Sequence, residues 1–147
     1  MSATTNQQLI REHFAAKDRL DREALEAGFT ADAKWWVPLS GEQRGLAVRP
    51  ITGGPRLAEI LTTLSLKLYE RHRSWTIEFL VADENIGAAQ VNLSARLAAS
   101  GELYENVYVY FFRFSGGKIA EMWEHLDTAY AFALFDGASS AGHQPSS

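Results

Sequence analysis

One glutamate near the end of the chain could do acid/base chemistry. It lies in the segment Lys118-Ile-Ala-Glu-Met-Trp-Glu-His-Leu-Asp127. Read as a strand, successive side chains alternate between two faces. One face then carries Ala120, Met122, Glu124 and Leu126, with Glu124 the only charge in an apolar row. A carboxylate there must find a partner, reach a wet cavity or keep its proton. The last two conditions are those of an acid/base site; the first describes a structural ion pair or hydrogen-bond network. His125 and Asp127 share the opposite face with Trp123. Two ligands make no metal site, so structural hydrogen bonding is the expected role of that pair.

The preceding segment offers partners. In Leu103–Phe114 the residues Tyr104, Asn106, Tyr108, Tyr110, Phe112 and Phe114 share one face. Phe112 and Phe114 read as core. Asn106, Tyr108 and Tyr110 read equally as packed core or as groups that orient a ligand carbonyl or hydroxyl. Gln90, Asn92, Ser94 and Arg96 form a polar row that holds a ligand or water if it faces inward, and is solvated surface if it faces outward. Trp35 and Trp36 point opposite ways on one strand, one toward a pocket mouth and the other toward the helices or an interface. His13 reads as a satisfied or rim histidine, His72 as part of a solvated helix end beside Arg71 and Arg73, and His143 as a tail residue.

Composition removes several classes of function. The 147 residues are 46% hydrophobic and 22% charged, as expected for one soluble domain with a real core. A formal net charge of -4 gives no case for nucleic acid or an anionic membrane as partner. No cysteine is present, so thiol nucleophiles, thiolate metal sites and disulfides are out. No phosphate-binding Gly-rich loop, Gly-x-Ser-x-Gly or His-Glu-x-x-His occurs, which disfavours nucleotide, covalent-serine and metal chemistry. The polar N-terminus carries no visible signal peptide and no apolar run reaches membrane-spanning length, so cytoplasm is the expected location. Aromatic residues stand at 12%, rich enough for a bulky core or an apolar pocket.

The elements that must position these residues follow from periodicity. A first helix begins near Thr5 or Asn6, with Leu9, Ile10, His13, Phe14 and Lys17 on one face. Asp21 caps a short second helix. Ala33–Pro38 is a strand, and Leu39 to Thr52 reads as a long loop. Gly53-Gly54-Pro55 opens a third helix with a Leu57, Ile60, Leu61, Leu64, Leu68 stripe. Four strands follow as an antiparallel meander, with a short apolar helix at Tyr130 to Phe135. The expected domain is 1–136, with 137–147 a flexible tail. This is an α+β pattern: a strongly curved, mostly antiparallel sheet wrapped around three N-terminal helices. The concave side of such a sheet is a usual place for a small-molecule site.

Two stretches carry a family resemblance. Leu103-Tyr-Glu-Asn-Val-Tyr-Val-Tyr-Phe-Phe-Arg-Phe114, followed by Gly117-Lys-Ile-Ala-Glu-Met-Trp-Glu-His-Leu-Asp-Thr128, resembles the C-terminal half of the SnoaL-like branch of the nuclear transport factor two-like superfamily, which includes ketosteroid isomerase. Phe29-Thr-Ala-Asp-Ala-Lys-Trp-Trp-Val-Pro38 resembles the family's first strand, and the layout matches over roughly Gln7 to Phe135. The resemblance implies a cone-shaped α+β barrel with a deep apolar pocket, usually a homodimer. Limonene epoxide hydrolases and phenazine-biosynthesis members carry a pocket carboxylate in the strand after Gly-Lys-Ile, and counting from that motif lands on Glu124. The epoxide hydrolases' Arg-x-Asp pair falls on Gln90-Val91-Asn92, without either charge. The base Asp of ketosteroid isomerase falls on Val37, and its oxyanion-site Asp near Tyr110. The superfamily holds isomerases, cyclases, dehydratases, epoxide hydrolases and non-catalytic binders, so fold does not settle function.

The expected activity is cofactor-independent and metal-free: isomerisation, cyclisation or dehydration of a small apolar molecule. Glu124 shuttles the proton, and Tyr110, Tyr108 or Asn106 stabilises charge on oxygen. Trp35, Trp36, Gln90, Asn92, Asn106, Tyr108, Met122 and Leu126 are the expected ligand contacts. Acid-assisted epoxide opening and non-catalytic binding are the alternatives. Val107, Val109 and Phe111 make the opposite face of their strand apolar as well, so a homodimer covering Phe111 and Trp123 is expected.

Overall fold

The computed structural model describes residues 3–45 and 48–143, with side chains described for 5–45 and 48–137. Helices α1 (Ala3–Arg19) and α2 (Arg22–Ala27) lead into strand β1 (Phe29–Trp36). A short helix α3 (Leu39–Gln43) and a two-residue strand β2 (Ile51–Thr52) precede helix α4 (Gly54–Leu68). Strands β3 (Tyr69–Ala82), β4 (Ile86–Leu97), β5 (Leu103–Ser115) and β6 (Lys118–Leu126) form the meander, and helix α5 (Thr128–His143) follows. The expected loop from Leu39 to Thr52 therefore contains a helical turn and an edge strand. His72 lies in β3 rather than at a helix end, because the helix stops at Leu68. The last helix runs on through 137–143, well past the expected Phe135.

The six strands form one open mixed sheet in the order β2-β1-β6-β5-β4-β3. Only β1 and β6 pair in parallel; the other neighbours are antiparallel. Register shifts interrupt β3 on β4, β5 on β6 and β1 on β6. Such bulges bend a strand and raise its twist. The expected α+β fold is observed, with a sheet that does not close.

The inner face is set by alternation. Ala89, Val91, Leu93, Ala95 and Leu97 of β4 are buried beside Tyr104, Tyr108, Tyr110 and Phe112 of β5. On α4 the buried apolar side chains are Leu57, Ala58 and Leu61, joined by buried Thr62, whereas Leu64 of the expected stripe is exposed. A Cβ on Gly54 would collide with the Thr30 carbonyl oxygen, so glycine lets the start of α4 touch β1.

Helix α1 is tied down near both ends. Asn6 Nδ2 donates to the carbonyls of Asp83 (2.9 Å) and Glu84 (3.2 Å). At the other end the Trp75 backbone N–H donates to Asp18 Oδ1 at 2.8 Å. Between these anchors Ile10, His13, Phe14 and Lys17 are pressed against the inner sheet. That clamp aims two titratable side chains, His13 and Lys17, into the interior.

Candidate active site

Strand pairing brings the sequence-predicted acid and phenol together. Tyr110 of β5 lies directly opposite Glu124 of β6, and cross-strand partners on one face are close enough to touch. The Tyr110 hydroxyl donates to Glu124 Oε2 at 2.7 Å. Among the described residues no hydrogen bond reaches the other carboxylate oxygen, and Glu124 keeps part of its surface open. Burial raises the Glu124 pKa, although Lys17, the Tyr110 hydroxyl and His125 all pull it back down. Desolvation thus outweighs the attached donor and the nearby charges.

The third member of the cluster comes from α1. Lys17 Nζ donates to the Tyr110 hydroxyl at 3.3 Å, which makes a chain Lys17–Tyr110–Glu124. The same Nζ lies 3.8 Å from the centre of the Trp75 ring, a cation–π distance. Lys17 is only 8% exposed. Its pKa is lowered to about 8, first by burial and also by Arg73, against the opposing pull of Glu124 and Asp18. Reading along the chain places Lys17 on the buried face of the first helix without giving it a role. The available signal was its i+4 spacing from His13 and i+7 from Ile10 on an otherwise apolar stripe.

His13 differs from expectation. It is buried among Phe14, Phe29 and Phe112 with edge-on ring contacts, and Nε2 has no partner among the described residues. Its pKa is held well below the usual value, first by burial and then by Lys17, so the ring stays neutral. The indole nitrogens of Trp35 and Trp75 are likewise buried and unpartnered among the described residues. Unsatisfied interior groups cost free energy, and three of them share the side of the sheet that carries Glu124.

The expected ligand residues divide between the two faces. Trp35 pairs with Met122 and is buried, so it is the inward tryptophan. Trp36 pairs with Trp123 on the outer face and donates to Glu121 Oε2 at 2.8 Å. Leu126, opposite Tyr108, lies on the inner side against the core. Gln90 and Asn92 point outward, where both donate to Glu78 of β3, because Ala89, Val91 and Leu93 take the interior. They are not inner-face contacts. Asn106 is inward but committed: Nδ2 donates to the Tyr104 hydroxyl (2.9 Å) and the Asp127 carbonyl (3.1 Å), and Oδ1 accepts from the Val107 N–H (2.9 Å).

Tyr104 and Tyr108 share a hydroxyl–hydroxyl hydrogen bond of 2.8 Å. Tyr104 stacks between Tyr69 and Tyr130, so α5 covers that end of the wall. Burial pushes the Tyr104, Tyr108 and Tyr110 pKa values up, and the Glu124 charge adds to each shift. These phenols stay protonated and act as donors. Asp127 accepts from the Tyr130 N–H at 3.0 Å and caps α5, and exposed His125 packs edge-on against Phe111. Both have structural contacts.

Among the described residues no three His, Asp or Glu side chains gather as metal ligands. No described helix is long and apolar enough to cross a membrane. A groove of about 560 Å³ lies where β3 meets β4, lined by Arg71, His72, Arg96 and Leu103 among others. It touches none of the Glu124 cluster.

Comparison with known proteins agrees with this architecture. A family model described as a SnoaL-like domain matches residues 10–122. No protein of curated function matches the sequence. An epoxide hydrolase from M. tuberculosis of the LEH-like type superposes with a TM-score of 0.71 at 14% identity, covering 95% of each chain. A candidate SnoaL-like polyketide cyclase from Jannaschia sp. CCS1 gives 0.73 at 14% identity, over 97% of this chain and 95% of that one. TerC, co-crystallised with polyporic acid, gives 0.77 at 17% identity, over 90% of this chain and 98% of that one.

Proposed function

The chain belongs to the SnoaL-like domain family, and within it we propose a cofactor-independent enzyme that moves a proton on a small, largely apolar molecule. The observation that carries this reading is the inward Glu124 carboxylate, held by Tyr110 at 2.7 Å with its second oxygen open. A carboxylate whose pKa is raised is a stronger base than an exposed one and, once protonated, returns the proton as an acid, the requirement of an isomerase, cyclase or dehydratase. Tyr110 spends its proton on Glu124, so it orients and tunes the acid. The unpartnered indole N–H groups of Trp35 and Trp75 are the donors left for a ligand oxygen. Trp35, Met122, Leu126 and Tyr108 supply the apolar surround.

Turnover of 5-nitrobenzisoxazole tests the reading. A carboxylate base removes its ring C–H proton, the N–O bond breaks and a coloured cyanophenolate forms, so no natural substrate is needed. We expect elimination by the wild-type chain that depends on Glu124. A wild-type rate equal to that of Glu124→Gln contradicts the acid/base reading and leaves a binding protein.

Epoxide opening is the second reading, favoured by the described activity of the M. tuberculosis neighbour. With Gln90 and Asn92 turned outward it has only Glu124 as acid. The active unit in either case is a homodimer through the outer sheet face, where Phe111 is 49% exposed on the same strand face as exposed Val107. Exposed apolar side chains on one sheet face favour an interface there. Light scattering at micromolar concentration should give twice the chain mass, and a monomer mass contradicts it.

A further inference from the structure

Lys17 is a buried amine for which the acid/base reading has no use. None of the described carboxylates forms a salt bridge with it. Its immediate contacts are a phenol at 3.3 Å and the Trp75 face at 3.8 Å. A cation buried without a direct counter-ion is costly, and the free base of lysine is a nucleophile toward carbonyl carbon. Two features then point to a reaction. The Trp75 ring face covers Nζ at 3.8 Å and the Tyr110 hydroxyl holds it at 3.3 Å, so the amine is fixed in position. Tyr110 connects Nζ to a carboxyl group through two hydrogen bonds, a path for the protons that imine formation must move.

We propose that Lys17 captures apolar aldehydes or ketones as a Schiff base. The neutral amine attacks the carbonyl carbon, a C–N bond forms and the C=O π pair moves to oxygen. The proton lost from nitrogen moves to that oxygen, which gives a carbinolamine. Glu124 protonates the hydroxyl, water leaves, and the nitrogen lone pair closes the C=N bond as an iminium. The proton that Glu124 supplies is the one the ammonium releases through Tyr110 before attack, so the net change is carbonyl plus lysine ammonium to iminium plus water. Only the dehydration step rests on the reading of Glu124 as an acid; the capture itself does not.

The groups facing Lys17 favour this state. Asp18 and His13 share its helix, Arg73 approaches from β3, Tyr110 from β5 and Glu124 from β6. With a pKa of about 8, roughly a tenth of the amine is neutral at pH 7, against about 0.03% for an ordinary lysine.

Reductive trapping tests the proposal on the full wild-type chain. Benzaldehyde and sodium cyanoborohydride are added at pH 7, and the benzylated lysines are mapped by peptide mass spectrometry. Lys34, Lys67 and Lys118 are exposed and serve as internal references. We expect Lys17 to be benzylated at least tenfold faster than any of them, and Glu124→Gln to slow its labelling severalfold. Labelling of Lys17 no faster than the exposed lysines overturns the proposal, and so does its absence. Because the elimination assay reads Glu124 and the trapping reads Lys17, failure of one leaves the other standing.

Discussion

Replacing Glu124 by Gln should lower the rate of 5-nitrobenzisoxazole elimination by about two to four orders of magnitude, the span of a general base. Melting temperature should stay level or rise. Glutamine has the same shape and keeps a carbonyl oxygen to accept the Tyr110 proton that Oε2 accepts now. It removes a group whose charged form burial penalises. A carboxylate serving only as a structural anchor gives the opposite pair of results, a less stable variant with an unchanged rate. Measuring both quantities on the one variant separates the two roles.

Lys17→Met should stabilise the fold by about 2–3 kcal/mol at pH 7. Lowering a lysine pKa from 10.5 to about 8 corresponds to roughly 3 kcal/mol paid by the charged form. Methionine fills a similar volume without charge, and the hydrogen bond lost at Tyr110 takes back part of the gain. The sign can be checked against pH. Between about pH 8 and 10.5 the unfolded chain holds the Lys17 proton and the native chain has released it, so wild-type stability from this group rises with pH there. The variant lacks that rise, and its advantage should shrink toward zero by the top of the window. Urea unfolding at pH 7 and pH 10 measures it; a destabilised variant at both values would show that the amine is a net structural support.

Much of this arrangement was legible in the chain. Alternation in Lys118–Asp127 puts Glu124 on the apolar face, and the same rule in Leu103–Phe114 puts Tyr110 on its wall; pairing then makes them neighbours. Trp35 and Trp36 were separable into two faces but not assigned, because the choice depends on which of Met122 and Trp123 faces inward next door. Gln90 and Asn92 fell on the outer face because β4 spends its small apolar residues on the interior. Lys17 was hardest to read. A lysine near a helix end looks solvated, and its burial comes from Trp75, distant in sequence, crossing over it. The β2 strand has two residues, too few for periodicity to register. The tail of α5 is rich in Gly, Ala and Ser, which composition reads as unstructured.

The most direct measurement is the titration of Glu124 itself. With glutamate carboxyl carbons labelled with carbon-13 and the Glu124 signal assigned by its loss in Glu124→Gln, the shift is followed from acid to neutral pH. The account predicts a midpoint above that of the exposed glutamates, because burial outweighs Lys17 and Tyr110. It also predicts a further rise in Lys17→Met, where the neighbouring charge is gone. A Glu124 midpoint at or below that of the exposed glutamates would mean a carboxylate locked in its ionised form, and would contradict the acid/base role.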